Sequence, residues 1–321
     1  MSNNAVESVE FKFRIGEITL WTSHLKLNVF RNHFTEYEHP YTEESDYSDS
    51  IDEKLDGVLF RSRPITTLLP RFTLKQDVIR YVPKQYHRYF IDLTGSKEEY
   101  LEKFSAKSRS TLKRKIKKFS DHCGNQIDWR EYKTLAEMEI FYPLARQVST
   151  KTYQERMLAA GLPEDDLFIQ RMYALAQKDS VRAYLLFCQD KPVAYLYCPI
   201  SNGILFYQYL GYIPEMAQWS PGTVLQWVVI ENLFLESHFA MFDFTEGPGK
   251  GSGGHKEFFS TNSTLCADIF FLRKTNINLF LVLLHTKIDS FSAKIGIFLD
   301  RFGLKTKIKN FLRKLYPSAS H

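Results

Sequence analysis

Apolar and polar positions alternate with a period of two early in the chain. Phe11-Lys-Phe-Arg-Ile15 follows this rhythm, and Glu17-Ile-Thr-Leu-Trp21 repeats it. The pattern predicts two strands of a hairpin turning at Gly16. Tyr41 to Asp56 breaks the rhythm and is acidic and Ser-rich, which predicts a solvated, mobile loop. A strand resumes over Val58 to Arg61. Pro40, Pro64, Pro70 and Pro83 favour short, irregular elements. Residues 1–89 therefore read as a small β-rich lobe.

A strand at Tyr89 to Leu93 opens a main domain spanning 90–275. Ser96 then caps a helix, with Glu99 at the capping-box position. Tyr100, Leu101, Phe104, Leu112, Ile116 and Phe119 keep a helical period and predict one continuous helix, ended by Gly124. It is acidic at its start and basic at its end, through Lys107, Arg109, Lys113, Arg114, Lys115, Lys117 and Lys118. A strand (Gln126 to Tyr132), a helix (Leu135 to Val148) and a second helix opened by Pro163-Glu-Asp-Asp166 follow. Three strands come next: Val181 to Gln189, Pro192 to Ile200 and Gly203 to Ile213. Asp190-Lys191 and Ser201-Asn202-Gly203 supply their turns. Gln218-Trp-Ser-Pro-Gly-Thr223 opens a helix over the apolar run Val224 to Leu235. Strands at Met241 to Thr245 and Leu265 to Leu272 flank a Gly-rich loop. The order predicts an α+β fold, a mostly antiparallel sheet flanked by helices. The tail, 276–321, reads as helical. Leu304, Ile308, Phe311, Leu312 and Leu315 share one face, and Lys305, Lys307, Lys309, Arg313 and Lys314 surround them. Such a helix suits either packing on the core or peripheral contact with an anionic membrane.

Length and charge narrow the class. A chain of 321 residues exceeds one ordinary core, so two domains or one with appendages is expected. A net charge of +5 is too small to imply nucleic acid by itself, although the cations cluster. Cys123, Cys188, Cys198 and Cys266 form no CxxC pair, which points to buried, reduced thiols rather than a zinc site or a disulfide framework. Met1 to Glu10 has no apolar signal region, and no run of about 20 apolar residues is present. The cytoplasm is the default location, with a peripheral place at the inner face of the membrane open to the tail. No metal is expected.

A Pro-Gly pair at a helix start combines a turn, an unobstructed backbone and free amide N–H groups. These suit a phosphate or pyrophosphate. With Ser105-Ala-Lys-Ser-Arg-Ser-Thr-Leu-Lys-Arg-Lys115, Ala183 to Leu196 with its Lys191-Pro-Val-Ala194 turn, Ser220-Pro-Gly-Thr223, Asp243-Phe-Thr-Glu-Gly247 and Gly254-His-Lys-Glu-Phe-Phe259 in this order, residues 89–273 resemble the GNAT-fold acyltransferases of the exopolysaccharide and cellulose-biosynthesis type. These are relatives of the Fem aminoacyl transferases. The usual pyrophosphate loop of the fold is Gln/Arg-x-x-Gly-x-Gly/Ala. Here only Gly222 fits; Ser220 replaces the preceding Gly, Ala217 stands where Gln or Arg is expected, and Gln218 is one place off. An acyl donor other than acetyl-CoA is thereby left open. The loop from Gly247 to Gly254 is longer than the family's and lacks the Gly-Lys-Ser/Thr ending of a P-loop.

The resemblance implies that the strand ending at Tyr212 splays from the strand beginning at Met241, with a thioester in the gap. Gln218, Ser220, Gly222 and Thr223 would hold the acyl-CoA. Asp243 stands in an apolar strand, where a carboxylate is costly unless paired or placed at a site. It is a catalytic candidate, or the partner of a structural salt bridge, with Lys256 the expected cation. Glu246 at the strand's mouth suits a general base, and His255 titrates in the useful range. A tyrosine, Tyr209 or Tyr207, suits protonation of the leaving thiolate. Arg109, Arg114, Lys256 and Tyr207 would contact an anionic substrate. The implied activity is transfer from acetyl-CoA or another acyl-CoA to an amino group of an amino sugar or of a cell-envelope or polysaccharide precursor. The acceptor is then a small-molecule or a lipid- or polymer-linked amine. An aminoacyl-tRNA donor and a non-catalytic scaffold are the alternatives, and tRNA is not the favoured partner.

Overall fold

The structure is a computed structural model that describes residues 4–16, 18–43, 51–75, 77–152, 155, 161–247 and 254–301. The chain divides into two compact units, Arg88–Ser263 and Met1–His87 with Thr264–Ala319.

The first unit opens with β1 (Asn4–Ile15) and β2 (Ile18–Phe30), paired antiparallel about Gly16 at φ +59°. The hairpin is where the alternation predicts it, and longer. β3 (Gly57–Pro64), β4 (Phe72–Lys75) and the first part of β5 (Val78–Asp92) follow. Pro83 lies inside the 15-residue β5, so the prolines do not keep these elements short. The final strand, β12 (Asn262–Arg273), lies between β3 and β5, in the order β1-β2-β3-β12-β5. The last helix, α7 (Asn276–Arg301), buries Leu281 and Val282 against Phe11 and Phe13 of β1. The expected membrane-facing residues from Leu304 to Leu315 lie outside the described residues, as do residues 44–50 of the acidic stretch. Among the described residues no helix is long and apolar enough to cross a membrane.

The second unit holds α1 (Lys97–Glu102), α2 (Ala106–His122), β6 (Asp128–Tyr132), α3 (Leu135–Ser149), α4 (Asp166–Gln177), β7 (Val181–Cys188), β8 (Lys191–Ser201), β9 (Ile204–Phe206), β10 (Tyr209–Tyr212), α5 (Pro221–Glu236), β11 (Met241–Gly247) and α6 (His255–Phe259). Its strand order is β5-β11-β9-β8-β7-β6, with β10 also paired to β8. Among the described residues β9–β11 is parallel, while β6–β7, β7–β8, β8–β9 and β8–β10 are antiparallel, so the mostly antiparallel sheet with flanking helices is as the sequence predicts.

Side chains alternate across this sheet and explain the unbroken apolar runs. Tyr184, Leu186 and Cys188 of β7 face Leu112 and Phe119 of α2 and Val229 and Ile230 of α5. Ala183, Leu185 and Phe187 face Met138 and Phe141 of α3 and Met172 of α4. A strand covered on both faces needs apolar residues at every position. All eight residues of β7 are buried.

Three sequence expectations change. The helix read from Ser96 to Gly124 is two helices. Ser105 is extended and its Oγ accepts from Ser108 N–H, so it caps α2. The strand read from Gly203 to Ile213 is two short strands. Finally, Cys123, just past α2, and Cys188, ending β7, form a disulfide across a Cα separation of 4.9 Å. Cys198 and Cys266 are free and buried, as the sequence suggests for all four. Alkylation in denaturant without reductant is expected to label two of the four cysteines by mass. Labelling of all four would remove the bond.

Candidate functional site

The site is built where two parallel strands stop pairing. Met241, Phe242 and Asp243 of β11 align with Ile204, Leu205 and Phe206 of β9. The last rung is Tyr207 N–H to Asp243 C=O at 2.9 Å. Beyond it Gln208 N–H turns to Tyr197 C=O at 3.2 Å, and β10 pairs with β8. On the other side Thr245 adopts φ +59°. The strands part from Tyr207 and Thr245 onward.

Asp243 holds this fork. It is fully buried, and its Oδ2 accepts from Arg88 Nε at 2.7 Å. Its Oδ1 accepts from Thr245 N–H at 2.6 Å, which fixes the left-handed residue two positions on. The expected cation was Lys256, and the structure supplies Arg88 instead. Lys256 Nζ donates to Phe244 C=O at 2.6 Å and to Glu246 C=O, carbonyls of β11 past the fork. It also stands 5.7 Å over the Tyr207 ring. Tyr207, Asp243 and Lys256 are thus brought together, and Glu246 is exposed at the end of β11.

Tyr207 and Tyr209 do not share a face. The break between β9 and β10 shifts the alternation by one residue. Tyr207 packs edge-on to Phe244 with centroids 5.5 Å apart, on the α5 side. Tyr209 meets Phe168 of α4 at 5.8 Å, on the other side. Burial raises the Tyr207 hydroxyl well above its ordinary range, so it stays protonated.

The start of α5 is tightly packed. Ser220 is left-handed, φ 56° and ψ 46°, and gives α5 no side-chain cap. Glycine takes this conformation without the strain that a serine bears. Ser220 C=O accepts from Thr223 N–H at 3.0 Å and Val224 N–H at 3.1 Å. A Cβ on Gly222 would lie 3.2 Å from Tyr212 Cδ1 and 3.4 Å from Leu210 Cδ2. Gly222 therefore lets α5 close onto β10, a packing role that its sequence position does not announce.

The basic helix reaches this turn. Lys118 Nζ donates to Gln218 C=O at 3.1 Å, and His122 stacks on Trp219 with centroids 3.8 Å apart. Arg114 is exposed on α2. Arg109 is used locally: its guanidinium donates to Phe104 C=O at 2.9 Å, closing the turn between α1 and α2.

Sequence reasoning missed Arg88, Lys118 and Gln226. Gln226 is fully buried within the stretch Val224 to Ile230 of α5, where every other residue is apolar, and its Oε1 accepts from His255 Nε2–H. An amide inside that stretch was the available signal. His255 is held as the Nε2–H tautomer. Although His255 keeps exposed surface, desolvation of its ring lowers the imidazole to about 4, and the Lys115 and Lys256 cations push the same way.

Residues 106–257 match the family described as acetyltransferase (GNAT) domain. No curated protein matches the sequence. Among solved structures, the C-terminal domain of a putative lysylphosphatidylglycerol synthetase from Agrobacterium fabrum is similar at 10% identity and a TM-score of 0.47, covering 72% of each chain. L-PGS from Bacillus licheniformis is similar at 15% identity and a TM-score of 0.44, over 72% of this chain and 73% of that one. FemX is similar at 12% identity and a TM-score of 0.42, over 62% and 64%. Likenesses of this size fix no chemistry. The match to residues 106–257 supports an acyltransferase.

Two outcomes are expected. Arg88→Met leaves a buried carboxylate uncompensated and should cost about 3–5 kcal/mol of stability in urea denaturation. Asp243→Asn added to it should recover part of that loss; additive losses would mean the two groups are uncoupled. For His255, the folded pKa lies below the unfolded value, so the unfolded chain binds the proton first. Its contribution to stability is full above about pH 6.5 and is lost as pH falls toward about 4. An NMR titration should place its midpoint near 4, and a midpoint near 6.5 would contradict the assignment.

Proposed function

We propose that this acyltransferase moves an acyl group from acyl-CoA, with acetyl-CoA the first donor to test, to an amine. The acceptor class that fits best is an amino sugar or a lipid- or polymer-linked envelope precursor. The observation that carries the reading is the parting of β10 from β11 beside the start of α5. A parted pair of strands leaves main-chain N–H and C=O groups without a ladder partner, as an extended amide-bearing chain such as pantetheine requires. The pyrophosphate then meets the first turn of α5, where negative charge is favoured, with Lys118 alongside at Gln218.

The residues have distinct tasks in this reading. Ser220, Gly222 and Thr223 shape the turn for the donor. The protonated Tyr207 hydroxyl gives a proton to the leaving thiolate. Glu246, exposed at the strand end, removes one from the attacking amine, and neutral His255 carries a hydrogen bond rather than a charge. The activity is placed in the cytoplasm.

Lys113, Arg114 and Lys117 are exposed on α2, more cations than one pyrophosphate needs. They favour the second reading, a polyanionic donor such as aminoacyl-tRNA. Calorimetry against acetyl-CoA and against tRNA separates the two. Acetyl-CoA is expected to bind, and Lys118→Glu should weaken it by about tenfold, less so at high salt. Binding of tRNA alone would replace the first reading with the second.

A further inference from the structure

Gln226 has a feature that the donor reading leaves unused. One end of its amide is satisfied by His255, yet its Nε2 is buried and has no hydrogen-bond partner among the described residues. A buried donor left unpaired is destabilising, so it points to a missing acceptor. The position of Gln226 says where that acceptor lies. It is four residues past Gly222 and shares its helix face, the face turned toward Leu210 and Tyr212 of β10. His255 opens α6, and its neighbour Lys256 binds the carbonyls of β11 past the fork. Gln226 thus links the α5 face that packs on β10 to the start of α6, whose Lys256 binds β11.

We propose that Gln226 Nε2–H donates to the acyl carbonyl oxygen of the bound thioester, and that His255, as a positioning residue, holds the amide in that orientation. This rests on the acyl-CoA reading above. In the reaction the amine lone pair forms a C–N bond to the carbonyl carbon, and the C=O π pair moves onto oxygen. The oxyanion then collapses, the C–S bond breaks, and the thiolate takes up a proton equivalent to the one the amine loses. The products are an amide and free CoA. A donor fixed before the reaction stabilises the oxyanion without reorganising. His255 suits the task because its Nε2–H leaves Gln226 Oε1 no freedom to rotate toward the substrate.

The test compares acetyl-CoA with S-ethyl-CoA, in which CH2 replaces the carbonyl. Wild-type protein should bind acetyl-CoA about tenfold more tightly than the thioether. Gln226→Leu should bind both at the thioether's level. Its melting temperature should be unchanged or higher, because the orphan donor is gone. Gln226→Met serves if the leucine variant fails to fold. Infrared spectra of bound acetyl-CoA labelled with carbon-13 at the carbonyl should show a stretch shifted to lower frequency, and the shift should vanish in the variant and shrink in His255→Phe. A variant that keeps both the preference and the shift overturns the proposal while the donor reading stands. If wild-type protein binds neither CoA compound, the donor reading fails and this inference falls with it.

Discussion

One buried carboxylate organises the acyltransferase unit. Asp243 closes the parallel pairing of β9 and β11 through its carbonyl and binds Arg88 of β5 through one carboxylate oxygen. Its other oxygen holds Thr245 N–H in a left-handed turn. An unpaired carboxylate could not stay charged in this environment. Arg88 makes the charge tolerable, and the charge makes the turn. A neutral apolar side chain at position 243 would continue the strand pair instead of ending it.

The rest of the proposed donor gap depends on that turn. Past the fork, β11 would expose carbonyls with no strand beside them. Lys256 satisfies those of Phe244 and Glu246 and leaves the facing side of the strand to β10. On the opposite wall α5 lies close to β10 because Gly222 carries no side chain. Lys118 and His122 join α2 to the turn ahead of α5. Cys188 ends β7 on the same buried face, and its bond to Cys123 fixes the far end of α2. Positive charge, a helix start and an opened strand pair thus meet in one unit of the chain.

Much of this was legible in the residues. The capping box at Ser96 is local chemistry, as is the helix start at Pro221. The apolar runs of β7 and α5 report burial on both sides. Asp243 stood out because a carboxylate in an apolar strand needs a reason. What stayed hidden depends on distant pairing. Arg88 lies 155 residues from Asp243, and nothing local marks it as the partner. Cys123 and Cys188 are 65 residues apart, with no spacing motif. The alternation of Tyr207 and Tyr209 misled because a strand that changes partners between them shifts its own register. Ser105 hid inside a helical period that continues across the break, since both helices bury the same side.

The central claim is that the gap opened by Asp243 receives the acyl donor. A crystal structure of the protein with a CoA thioester tests it most directly. The pantetheine chain should run between Tyr207–Tyr212 and Thr245–Gly247, bonded to main-chain groups on at least one strand, with the pyrophosphate at Gly222. A thioester bound elsewhere, with β10 and β11 joined by their own hydrogen bonds past Asp243, would contradict it.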